Sequence, residues 1–230
     1  MTLRSRMFQK KNRTTTLIVG VILFVAIGLA LDAFLASRRF RNQYQAYSAA
    51  ETEYETAAYK PAVGSNPIRQ EVSYILVQVL QVPMSDATRL GFAKQGIAHL
   101  NDMEGEIDAI KVESDNVGPL IDTLEITAGN IGNIRNRAKM RELVALARKN
   151  VSTISDIRGL SYRTDFYTDE VFERIIDDQG KMTPEHVTYL NDLIPQLEAQ
   201  FNQRTNLYTR LGEDSKKLKQ LAVELGYATP

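Results

Sequence analysis

Residues 17–36, LIVGVILFVAIGLALDAFLA, are apolar on every face, with Asp32 their only charge. A helix rises about 1.5 Å per residue, so this stretch crosses a hydrocarbon core of roughly 30 Å. No second stretch approaches that length, and the pattern predicts one membrane-spanning helix. From Ser37 to Tyr59 neither Gly nor Pro interrupts, and Phe40, Tyr44, Tyr47 and Tyr54 recur at helical spacings. The span is therefore expected to continue as a helical stalk whose aromatic stripe forms one packed face and an interfacial anchor. Lys60 to Pro67 then carries two prolines and a glycine, which break the helix.

Beyond this linker the period is helical almost everywhere. Ile68, Val72, Ile75 and Val79 make one face, widened by Leu76 and Leu80, until Pro83. Ser85 reads as the N-cap of the next helix, with Asp86 favourable in its first turn. Leu90, Ile97, Leu100, Met103, Ile107 and Ile110 supply its buried side, and Gly118-Pro119 is expected to close it. A third run is expected through Val117, Ile121, Leu124, Ala128, Ile131 and Ile134 to Leu143, Val144, Ala147, Ile154 and Ile157. Gly129 and Gly132 mark a bend or a close helix contact within it.

The last helix opens on Thr183-Pro184-Glu185, a cap, a first-turn proline and a first-turn acid. Val187, Leu190, Ile194, Leu197, Phe201, Tyr208, Leu211, Leu218 and Leu225 follow at alternating three- and four-residue spacings. This narrow seam suits packing inside one bundle or against another chain. Arg204, Ser215 and Ala222 fall in the same register and favour the intramolecular choice. Pro195 is expected to kink this helix near Asn191, and Gly226 to end it. The expected organisation is a tail over 1–16, a span over 17–36, a stalk over 37–60, a linker over 61–67 and a bundle over 68–230. The fold class is all-α, a single transmembrane helix followed by a bundle of four to five helices.

Composition adds an asymmetry hidden by a formal net charge of zero. Residues 1–41 hold eight Lys and Arg against one acid, while the remaining chain holds 20 basic and 27 acidic residues. Arg4, Arg6, Lys10, Lys11 and Arg13 precede the span and Arg38, Arg39 and Arg41 follow it. The heavier basic flank favours a cytoplasmic N-terminus and an extracytoplasmic bundle. Both flanks suit anionic lipid headgroups, and the acidic remainder disfavours nucleic acid as a partner. A cleavable leader shares the basic start and apolar centre. The resumption of apolar residues after Asp32, followed by three arginines, favours an uncleaved anchor. Asp32 lies near the end of the span, where it reaches water or pairs with Arg38 or Arg39.

Cysteine is absent, which excludes disulfides, thiolate metal sites and Cys nucleophiles. Asp177, Gln179 and Gly180 resemble the middle of an EF-hand loop. Ile175 stands where its first carboxylate belongs and His186 where its last does, so a plain helix-turn-helix is expected instead of a calcium site. Asp102, Glu104, Glu106 and Asp108 spread over more than one helix face and read as a solvated acidic surface. His99 and His186 form no two-His metal motif, and phosphate loops and nucleophile elbows are missing. No catalytic residue, cofactor or metal is assigned. The expected function is a non-enzymatic membrane-anchored scaffold or interaction module of the cell envelope, partnered by lipid and by another envelope protein or itself. The alternatives are a ligand-sensing bundle acting through a membrane partner and a membrane-anchored enzyme.

Overall fold

The computed structural model describes the backbone of residues 3–60, 66–80, 84–130 and 134–228, and the side chains from residue 21 onward within those ranges, except 130, 134 and 135. Among the described residues the protein is all-helical. Its elements are α1 (Leu3–Tyr59), α2 (Pro67–Val79), α3 (Asp86–Asn130), α4 (Ile134–Asp177) and α5 (Pro184–Glu224). At about 1.5 Å per residue α3, α4 and α5 each run more than 60 Å, so the bundle is long and narrow.

Cross-helix contacts give the direction of each element. Phe40 near the middle of α1 meets Tyr227 just beyond the end of α5, and Lys139 early in α4 pairs with Glu224 at the end of α5. At the other end, Arg89 early in α3 reaches the carbonyls of Val79, the last residue of α2, and Gly180, after α4. Thus α1 and α2 run one way, α3 returns, α4 repeats the first direction and α5 returns again. α1 packs on α3, α3 on α4, α4 on α5, and α2 on α3. The side between α1 and α5 is bridged by long side chains: Tyr59 stacks on Tyr208 at 5.5 Å, and the Tyr208 hydroxyl donates to the Ala58 carbonyl at 2.9 Å.

The bundle holds two apolar cores, one above the other. The first joins Phe40, Tyr44, Tyr47 and Tyr54 of α1 to Ile110 through Ala128 of α3, Met140 through Ile157 of α4, and Leu211, Leu218 and Ala222 of α5. The second joins Val72, Ile75 and Val79 of α2 to Ala93, Leu100 and Met103 of α3, Val171, Phe172 and Ile175 of α4, and Leu190, Leu193 and Leu197 of α5. α2 takes the place of α1 in the second core, so α1 and α2 together make the fourth rod of the bundle. The aromatic stripe after the span is a wall of the first core.

Local chemistry sets the helix ends. Asn66 caps α2 by accepting from the backbone N–H of Ile68 and Arg69 at 2.9 and 3.3 Å, with Pro67 at the first helical position. The Ser85 hydroxyl accepts from Thr88 N ahead of α3. Thr183 caps α5 by accepting from His186 N, and Gly226, at φ 72°, turns the chain after it.

One expected boundary is corrected. Gly118-Pro119 does not end a helix; α3 runs through it to Asn130, and α4 starts at Ile134. Pro119 is exposed, and the buried row Met103, Ile107, Ile110, Val117, Ile121, Leu124 keeps one face of α3 on the core across it. Burial on both sides outweighs the one backbone bond that proline removes. α5 likewise passes through Pro195 as one helix.

Candidate functional site

Three features stand out as functional surfaces or interiors: the apolar half of α1, a buried carboxylate network in the first core, and a polar waist between the two cores.

From Val21 to Leu35 the side chains of α1 cover almost nothing in the bundle; Phe24, Leu29 and Phe34 are all exposed by more than 60%. α1 is the one helix, among the described residues, long and apolar enough to cross a membrane. Asp32 and Arg38, Arg39 and Arg41 are exposed, whereas the side chains of Arg4, Arg6, Lys10, Lys11 and Arg13 lie outside the described residues. Four residues after Ala36, Phe40 is fully buried in the first core. The exposed apolar segment therefore enters the bundle without an intervening break.

Inside the first core, Glu51 of α1 is 4% exposed. Its Oε1 accepts from the Tyr47 hydroxyl at 2.5 Å and from Asn150 Nδ2 of α4 at 3.4 Å. Asn150 also donates to Ser215 Oγ of α5 at 3.1 Å, and the Ser215 hydroxyl donates to Glu55, one turn beyond Glu51. Lys219 lies 3.8 Å from the other Glu55 oxygen. This chain of side chains ties α1, α4 and α5 together at one level. Burial disfavours the charged carboxylate, and the nearby Glu55 adds to it, so the Glu51 pKa is pushed up to about 7. The same burial drives the Tyr47 phenol far above its ordinary value and keeps it a donor.

Between the cores lies a polar waist. Arg69 of α2 makes a bidentate pair with Asp165 of α4, at 2.8 and 2.7 Å. Arg204 of α5 is 3% exposed and lies with its guanidinium carbon 4.8 Å from the Phe201 ring centre. A cavity of about 20 Å³ is lined by these groups together with Ser73, Met103, Thr164 and Thr168. Among the described residues, the Nε of Arg69 and the Nη1 of Arg204 are buried without a hydrogen-bond partner.

The EF-hand-like segment is a tight turn. α4 ends at Asp177, Gln179 and Gly180 take positive φ of 56° and 85°, and Gly180 N donates to the Ile175 carbonyl at 2.7 Å. A Cβ at Gly180 would collide with the Asp86 carbonyl, so the turn sits directly on the start of α3. His186 packs here with 3.3 Å to Asp178. No group of three or more His, Asp or Glu gathers around a metal-sized site among the described residues.

The C-terminal seam turns inward. Leu190, Leu197, Leu211 and Leu218 are buried, Ile194, Phe201, Tyr208 and Leu225 are half-buried, and Val187 stands outside the packed face at 45% exposure. Val187 drops out because the first turn of α5 presents His186 and Leu190 to the core instead. The acidic stretch on α3 is mostly solvated, with Glu106 accepting from Asn66 at 2.5 Å and Asp108 from Tyr162.

Sequence reasoning missed Glu51, Arg69 and Asp165, and met Arg204 only as a flaw in the heptads. Comparison of the chain with protein-family models, curated proteins and solved structures finds no match.

Proposed function

We propose that the protein is a single-pass membrane protein whose helical bundle stands outside the cytoplasm and works as an interaction module of the cell envelope. The observation that carries this reading is the continuity of α1, which leaves its exposed apolar segment and is buried at Phe40 with no hinge between. A bundle joined to its anchor in this way is held in a fixed attitude to the membrane, and tethering raises its effective concentration toward a neighbour in the same membrane. The basic flank of the span, Arg38, Arg39 and Arg41, suits contact with anionic lipid headgroups. Exposed apolar side chains on the bundle, Tyr74 and Val77 one turn apart on α2 and Phe166 on α4, are the positions where a protein neighbour gains most from burial. The seam of α5 is spent on the bundle's own core, so self-association through that seam is not part of the reading.

The test is site-specific photo-crosslinking in intact cells, with a photoreactive residue placed in turn at Tyr74, Val112, Ile126 and Phe166. A discrete adduct from one or two adjacent positions is the expected result. Uncrosslinked protein from every position would sink the interaction role.

A further inference from the structure

We propose that the polar waist between the two cores binds a single small monovalent anion, of chloride size, held between Arg69 of α2 and Arg204 of α5. The charge balance makes the case. Three ionised groups converge there, Arg69, Asp165 and Arg204, and both oxygens of Asp165 are already engaged by Arg69. Among the described residues no carboxylate lies within ion-pair distance of Arg204, which is 3% exposed, and Asp165 acts on it only from farther away. A buried charge without a counter-charge costs several kcal/mol even after the protein relaxes around it. Two guanidinium N–H groups, Arg69 Nε and Arg204 Nη1, are unpartnered, and both residues line the same cavity. Convergent N–H donors with excess positive charge are the chemistry of an anion site.

Size selects the ligand. A cavity of about 20 Å³ admits one water-sized or monatomic guest. Sulfate, phosphate and dicarboxylates are too large. Water would satisfy one of the orphan donors but leave the net positive charge, whereas a halide satisfies donors and charge together. Burial and the Arg69 charge lower the Arg204 pKa, against a partial opposing pull from Tyr208 and Asp165. The site lies where α1 hands over to α2, so an anion there ties α2 to α4 and α5 across the joint. The site is independent of the interaction role proposed above, and its test reads a different quantity.

The experiment uses the full chain in detergent. The midpoint of thermal unfolding is measured in sodium chloride and in sodium gluconate at equal ionic strength. A midpoint several degrees higher in chloride is expected, because a ligand that binds only the folded state stabilises it. Arg204→Met should remove the difference, and the exposed control Arg210→Met should keep it. Should Arg204→Met fail to fold, Ser73→Leu, which fills the cavity and leaves both arginines, should remove the difference instead. Crystals soaked in bromide should give an anomalous peak beside the Arg204 guanidinium. Equal midpoints in the two salts, a chloride effect that survives the variant that folds, or no bromide peak beside Arg204 each overturn the proposal.

Discussion

Glu51 is the side chain whose ionisation matters most to the first core, because it is buried on α1 and faces Tyr47, Glu55, Asn150, Ser215 and, farther out, Lys219. Its pKa stands at about 7 in the folded protein, above its ordinary 4.5. Between those values the folded state holds a proton that the unfolded chain has released, so stability falls as pH rises. The full shift corresponds to roughly 3 kcal/mol, lost between about pH 4.5 and 7. Glu51→Gln keeps an acceptor for Tyr47 and removes the titration. Its urea-unfolding free energy should therefore exceed that of the natural protein at pH 7.5 and approach it at pH 5. A natural protein whose stability is flat over that range would contradict the assignment. None of this was legible in the sequence: Glu51 sits in the exposed-looking run Ala49-Ala50-Glu51-Thr52-Glu53, and only the approach of Asn150 and Ser215, about 100 and 160 residues away, buries it. The aromatic positions around it were legible, since Phe40, Tyr44, Tyr47 and Tyr54 carry the helical period themselves.

At the scale of elements, caps were readable and breaks were not equally so. Ser85, Thr183 and Gly226 act where their chemistry says they should, because a cap depends on a few neighbouring residues. The end of α3 depended on burial far from its own sequence. Pro119 looked like a stop, yet the apolar row on either side holds α3 together, and the helix continues to Asn130. Asn66 shows how a local device can also serve the tertiary structure. It caps α2 through its side-chain oxygen while its Nδ2 donates to Glu106 of α3 at 2.5 Å, fixing where the second half of the fourth rod begins. Asn66→Ala should cost about 1 to 2 kcal/mol, the range of a lost N-cap, with its upper end reflecting the lost bond to Glu106. Asn66→Asp, which keeps the cap but sets a carboxylate against Glu106, should recover only part of it. Denaturant midpoints at constant slope measure both, and an alanine variant as stable as the natural protein would mean that the start of α2 is set by Pro67 and packing alone.

Across the whole molecule, the decisive relation is between a greasy segment that packs on nothing in the bundle and a rod that packs on everything beyond Phe40. The sequence ended the greasy segment at Ala36 and read 37–60 as a stalk set off from the bundle by the Pro- and Gly-rich stretch over 61–67. The structure packs residues 40–58 into the first core, so the exposed apolar part and the buried part of α1 meet within about one turn. The charge bias of five basic residues before the span against three just after it is the ground for the proposed placement of the bundle outside the cytoplasm. The turn between α4 and α5 lies at the end of the bundle farthest from the span, more than 50 Å away by the length of α4, and Lys181 there is exposed. The chain contains no cysteine, so Lys181→Cys introduces its only thiol. A membrane-impermeant maleimide added to intact cells should label that thiol, and alkaline carbonate should leave the labelled protein in the membrane pellet. Labelling that requires cell lysis would place the bundle on the cytoplasmic side. Release into the carbonate supernatant would mean that the apolar half of α1 is not embedded in lipid, and with it would go the fixed attitude on which the interaction role depends.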